Sequence, residues 1–406
     1  MMSTRITKGG KSRVNLFCTV MIICAAILLT SCDEEDNPVT PVNPPITEAY
    51  IIGKASYPNY SKLTNYNFLY PSKGPYGNTV MLSGTISMGP EVVKGKPARG
   101  LVLYNHYSIF QAEECASKGK LDIQDKVRGS GLIVISPDSY GFGSTENQQQ
   151  AYCMASQNAQ ASVDALIAAK QLLAQEGYQY DDVFINIGYS QGAQTAIGVL
   201  KLTTEKYPYI RFTRTLAGAG PYDLTETYRQ LIGENKAGMS SNAVSVLLAY
   251  NEFSHLGFQR SELFRDPLLS HIDDWILSKK YKRQEIDDLI GKGKLTDCLT
   301  PDLSNLESSV AQRFMEAFEC DNLCKGWTPR KDENILLFHS SLDQTVPPSN
   351  TTLLYQFLTE QGVENIELDE GKYGIIYEED PHSFAALTFI SHVKEWMCNY
   401  LGIPEW

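Results

Sequence analysis

Positive charge is in short supply. The chain carries 35 Lys and Arg against 47 Asp and Glu, a formal net charge of −12. Surfaces that bind nucleic acid or anionic membranes need excess Lys and Arg to neutralise phosphates, so neither is expected as the main ligand. Histidine is also scarce, at six in 406 residues, which leaves few places for imidazole chemistry. Cys320 and Cys324 are spaced like half a zinc site, but no second Cys/His pair lies at ligand spacing, and neither a metal nor a cofactor is expected. No internal repeat is present. A long hydrophobic run is missing too: the stretch from Leu16 to Leu29 reaches only ~21 Å at ~1.5 Å per residue, short of the ~30 Å hydrocarbon core.

What is present is an ordinary folded composition, 43% hydrophobic and 20% charged, long enough for two or three domains or for one large α/β domain with an insertion. Arg5, Lys8, Lys11 and Arg13 precede the apolar run, which ends in Leu29-Thr30-Ser31-Cys32. This pattern reads as an export signal over residues 1–31, and the last four residues resemble a bacterial lipobox whose cysteine is diacylated. An ordinary signal peptide or an uncleaved anchor is the alternative. Loss of these four basic residues moves the net charge from −12 to −16. The segment "DEEDNPVTPVNPPITE" after Cys32 is acidic and Pro-rich, and residues 32–50 read as a solvated tether. The expected protein is an exported lipoprotein held to a membrane by N-terminal lipid, at the outer membrane and, on the acidic run, at the cell surface. Cys115, Cys153, Cys298, Cys320, Cys324 and Cys398 remain. In an oxidising compartment they allow up to three disulfides of undetermined pairing.

From residue 51 onward, short apolar runs alternate with helical patterns. "NTVMLSGTIS" (78–87) alternates like an exposed strand, whereas "LVLYN" (101–105) and "LIVIS" (132–136) are continuous like buried ones. A helical pattern covers 150–175, with Val163, Leu166, Ile167 and Leu173 at core spacing. A strand at 183–187, a helix at 191–204 and strands at 211–220, 334–340 and 365–370 follow. The order predicts an α/β fold, a mostly parallel sheet flanked by helices. Residues 222–332 are helix-rich, with no clear buried strand, and are too long for a loop. They are expected to form a helical insertion between the core segments 51–221 and 333–406.

In "DDVFINIGYSQGAQTAIGVLKL" the serine of a G-x-S-x-G sits between a buried strand and a helix. This is the context of a nucleophile elbow, where Ser190 is held in strained geometry and Gly188 and Gly192 avoid collisions. A serine hydroxyl needs a histidine base and an acid to orient it. "NILLFHSSLDQTVPP" places Asp343 after a strand, and "YEEDPHSFAALTF" places His382 before the last helical pattern. Ser190, Asp343 and His382 stand in the order expected of α/β-hydrolases. Asp343 as a helix cap and His382 as a plain loop histidine are the alternatives, and Asp223 is the fallback acid. His392 lies in a helical pattern and His339 within a strand, so neither is the expected base.

The chain resembles an α/β-hydrolase of the secretory lipase family over most of residues 95–400. The resemblance rests on "VISPDSYGFGST" (134–145), "GYSQGA" (188–193), "FHSSLDQTVP" (338–347) and "DPHSF". It implies a serine lipase or esterase acting on a small-molecule or lipid ester, with the insertion at the position of that family's cap. One oxyanion donor is expected at the Gln191 N–H. The second should come from "NHYSIF" (105–110), which replaces the usual His-Gly pattern; Tyr107 is the choice, with His106, Ser108 and Ile109 open. Asp138 and Tyr140 either border the pocket or form a structural turn. A peptidase or acyltransferase with the same residues, and a non-catalytic binding lipoprotein on this scaffold, are the competing functions.

Overall fold

Nine strands among the described residues form one sheet. They are β1 (Tyr50–Tyr57), β2 (Leu63–Lys73), β3 (Thr79–Met88), β4 (Leu101–Asn105), β5 (Ile133–Pro137), β6 (Phe184–Tyr189), β7 (Arg214–Gly218), β8 (Asn334–Ser340) and β9 (Asn365–Gly371). The computed structural model describes residues 49–57, 63–119, 130–235, 240–291, 293–373 and 380–403. The expected signal, Cys32 and nearly all of the tether therefore lie outside the described residues. The strand order is β1-β2-β3-β5-β4-β6-β7-β8-β9. From β5 to β9 neighbouring strands run parallel, and β1, β2 and β3 extend the sheet as an antiparallel edge.

The continuous runs behave as their composition demands: every residue of β4, β5 and β7 is buried, because helices cover both faces of a parallel sheet. Helices α1 (Ala155–Gln175) and α2 (Gln191–Lys206) flank the centre. α1 buries Val163, Leu166 and Leu173 together with a row of alanines that lets it lie close. It begins five residues later than the pattern suggests, because Cys153 takes a positive φ of 52° in the turn ahead of it.

Three features depart from expectation. β3 is not an exposed strand, since Leu82 to Met88 are all buried. Its polar face is covered by the turn after β5, where Ser83 Oγ donates to Asp138 Oδ2 at 2.6 Å. β1 and β2 were not anticipated; β2 buries Thr64, Asn65 and Ser72, polar residues that hide its period. Cys115, Cys153, Cys298, Cys320 and Cys324 are unbridged, while Cys398 is buried in the last helix.

Between β7 and β8 the chain is helical, with α3 (Leu224–Glu234), α4 (Ser240–Phe253), α5 (Arg283–Ile290) and α6 (Ser309–Glu319) joined by shorter turns. Among the described residues this insertion shows no separate core. Leu247, Tyr250, Phe314 and Phe318 belong to the same buried cluster as Phe110, Tyr140 and Tyr152 from the sheet side. Lys279 fastens it further, donating to the carbonyls of Glu146 and Gln148 at 2.6 and 2.5 Å. After β8 come α7 (Ser349–Glu360), β9 and the long α8 (Pro381–Leu401).

Candidate active site

The turn from β6 into α2 is drawn tight by two glycines. A Cβ on Gly188 would lie 1.9 Å from the Gly192 carbonyl oxygen, and one on Gly192 would lie 2.1 Å from that of Asn105. No side chain fits at either position, so the strand end, the helix start and the loop after β4 close in on one another. Ser190 sits at the apex with φ 55° and ψ −124°, a conformation that costs a non-glycine residue about 1–3 kcal/mol. Its N–H donates to Gly218 O at 2.8 Å, and its carbonyl takes the N–H groups of Ala193 and Gln194. The backbone holds the strain, and the hydroxyl stands at the carboxyl edge of the sheet.

The structure brings His382 and Asp343 to this hydroxyl. His382 Nε2 lies 2.8 Å from Ser190 Oγ, and His382 Nδ1 lies 2.5 Å from Asp343 Oδ2. A carboxylate partner keeps the proton on Nδ1, which leaves Nε2 free to accept from the serine. Asp343, in the loop after β8, is itself fixed: its Oδ1 accepts the N–H groups of Thr345 and Val346 at 2.8 and 3.0 Å. Burial alone would raise its carboxyl. The charge of His382 and hydrogen bonds from His339 and His382 outweigh that effect and hold it well below the usual carboxylate range. His382 occupies the first turn of α8, where Tyr189 O–H donates to its carbonyl at 2.6 Å. All three side chains are over nine-tenths buried.

The remaining candidates divide. α2 begins at Gln191, whose N–H has no intrahelical acceptor and stands beside Ser190 at the positive end of the helix dipole. Tyr107 and Ser108 line the same cavity as Ser190, of about 340 Å³. His106 is turned away, its ring bonded to the carbonyls of Tyr107 and Asp138, and Ile109 is packed in a small apolar cluster. Asp138 and Tyr140 form a structural turn: Asp138 is fully buried and accepts from Ser83 and from the Ser117 N–H. Asp223 caps α3 by accepting the Glu226 N–H at 2.9 Å, so it is not the acid. His392 pairs with Asp369 at 2.7 Å, three turns along α8 from His382.

Sequence reasoning missed four contributors. His339 is wholly buried in β8 with Nε2 3.3 Å from Asp343 Oδ2, and a strand histidine carries no local signal of that. Tyr189 was legible only as the variable residue of the pentapeptide. Arg283 and Asp380 form an ion pair at 2.6 Å beside the cavity, joined across the fold. The cavity's walls come from both bodies of sequence, Asn242 and Arg283 from the insertion and Ala386, Leu387 and Ile390 from α8. "SNAVSVLLAY" (241–250) sends only Asn242 to it, since Val244, Leu247, Leu248 and Tyr250 pack in the core.

Comparison with known proteins bears on the fold and the family. Solved structures with the same fold include a putative hydrolase from Legionella pneumophila, at TM-score 0.74 and 19% identity, covering 87% of this chain and 97% of that one. The rice cell wall degrading esterase LipA from Xanthomonas oryzae gives 0.71 and 18%, covering 87% and 98%. Candida antarctica lipase A in its closed state gives 0.62 and 13%, covering 88% and 83%. No curated protein matches the chain. The secretory lipase family matches residues 123–392, most of the chain, a range that includes Ser190, Asp343 and His382 but not the Tyr107 loop. The chain belongs to the secretory lipase family and is a carboxylic ester hydrolase with the α/β-hydrolase fold.

Proposed function

We propose that the protein cleaves esters through an acyl-enzyme formed on Ser190. His382 Nε2 takes the serine proton as Oγ attacks the ester carbonyl, then returns it to the departing alcohol. Water, activated by the same nitrogen, attacks the acyl-serine and regenerates the hydroxyl. Asp343 holds the imidazole in the tautomer that accepts from Oγ and faces the imidazolium formed midway. The Gln191 N–H and a donor from the Tyr107 loop receive the developing oxyanion, where preorganised dipoles act most strongly. The observation that carries the reading is the 2.8 Å contact of Ser190 Oγ with a histidine whose other nitrogen meets a buried carboxylate.

The cavity suits an ester of modest size, with an apolar wall along α8 and a polar wall from the insertion. Ser190→Ala should remain folded and lose p-nitrophenyl ester turnover by several orders of magnitude, together with all labelling by a fluorophosphonate. Retained turnover by the purified variant would refute the assignment. Faster cleavage of peptide anilides than of esters by the wild type would favour a peptidase.

A further inference from the structure

A guanidinium of the insertion reaches the helix that carries the histidine. Arg283, the first residue of α5, sends Nη2 to Asp380 Oδ2 at 2.6 Å and Nη1 to Asp287 Oδ2 at 3.4 Å. Asp287 is anchored within the insertion, where its Oδ1 accepts the Ser241 N–H from the first turn of α4 at 2.9 Å. Asp380 is the N-cap of α8, and its other oxygen accepts the Ser383 N–H at 3.1 Å. His382 is the second residue of that helix. The cation thus ties a carboxylate of the insertion to the carboxylate that starts the helix carrying His382. With 22% and 18% of their side chains exposed, Arg283 and Asp380 are sheltered from full solvent screening without being sealed.

The first turn of a helix is its least constrained, because its N–H groups have no intrahelical acceptors and its direction depends on the cap. His382 must nevertheless stay within hydrogen-bond reach of Ser190, and displacement of a reacting group by about 1 Å can cost ~100-fold in rate. Tyr189 pins the His382 carbonyl from the β6 side. Arg283 supplies the matching restraint from the insertion side.

We propose that Arg283 is a positioning residue: by holding the Asp380 cap from the insertion side it keeps His382 aligned on Ser190. The inference rests on the reading of His382 as the base.

The test is steady-state kinetics on p-nitrophenyl acetate, a substrate too small to need the insertion wall. Arg283→Gln should lower kcat about 10- to 100-fold while KM changes less than about threefold. Arg283→Lys should recover most of the loss, since a cation within reach of Asp380 is what is required. Asp380→Asn should reproduce the defect, and the Arg283→Gln/Asp380→Asn double variant should be no worse than the poorer single one. A raised KM with kcat intact would make Arg283 a substrate contact and overturn the proposal, as would losses that multiply in the double variant. If Arg283→Gln does not fold, Asp380→Asn carries the test under the same criterion, and an unchanged kcat there refutes it. His382→Ala separates the two readings. Activity retained in that variant removes the base itself, whereas an inactive His382→Ala beside a fully active Arg283→Gln removes only the strut.

Discussion

Asp343 is the most heavily committed side chain of the site, taking two backbone N–H groups on one oxygen and facing His382 and His339 with the other. An asparagine there would fit the space and present an N–H to the imidazole as readily as an oxygen, so the tautomer with a free Nε2 would no longer be enforced. Asp343→Asn should lower kcat by about three to four orders of magnitude with the fold retained. The same carboxylate leaves a mark on stability. Its folded pKa lies below the normal carboxylate value, so the folded state binds the proton less readily than the unfolded chain, whose aspartates titrate near ~3.9. The contribution is present in full above that value and fades as pH falls toward the folded one. Urea melts of wild type and Asp343→Asn should therefore differ most above pH ~4 and converge below it; a constant difference down to pH ~2 would argue that the charge of Asp343 is not what the fold uses.

Among elements, the β6-to-α2 turn has the least tolerance. Gly192→Ala drives a Cβ against the Asn105 backbone carbonyl, which cannot swing aside as a side chain would, and should cost about 1–3 kcal/mol along with most of the activity, because the loop that must move carries Tyr107. Gly233→Ala in α3 is the control: nothing lies within 4 Å of its Cβ, and its melting temperature should stay level or rise. An equal drop in both variants would mean that the close approach is not what sets the cost. This turn was readable in the sequence because its constraints are local: a buried run, two glycines and helix formers within a few residues. The neighbourhoods of Asp343 and His382 were readable for the same reason, each beside a strong element, although His382 lies inside the first turn of α8 rather than ahead of it. β1 and β2 were not, since Thr64, Asn65 and Ser72 are buried through pairing rather than by their own character. Arg283 and Asp380 stand 97 positions apart, and nothing near either residue announces the other. His339 read only as a strand residue, and its partner appears only once the loop after β8 folds back over it.

At the scale of the whole molecule, the insertion and the sheet are joined by shared apolar clusters, so the wall over the cavity is an extension of the body rather than a hinged plate. Two unbridged cysteines lie within one of these clusters, Cys153 ahead of α1 and Cys298 in the insertion. Burial pushes the Cys298 thiol up to about 11 and that of Cys153 higher still. Neither offers a thiolate or an approach to a reagent while its surroundings stay closed. The two sulfurs are therefore clocks that start only when their neighbourhoods open. Under N-ethylmaleimide, exposed Cys320 should be consumed at once, and Cys153 and Cys298 should follow slowly and in step, read by mass spectrometry of the digested chain. A Cys298 that runs well ahead of Cys153 would reveal an insertion that breathes by itself, and would give the rate at which it does so.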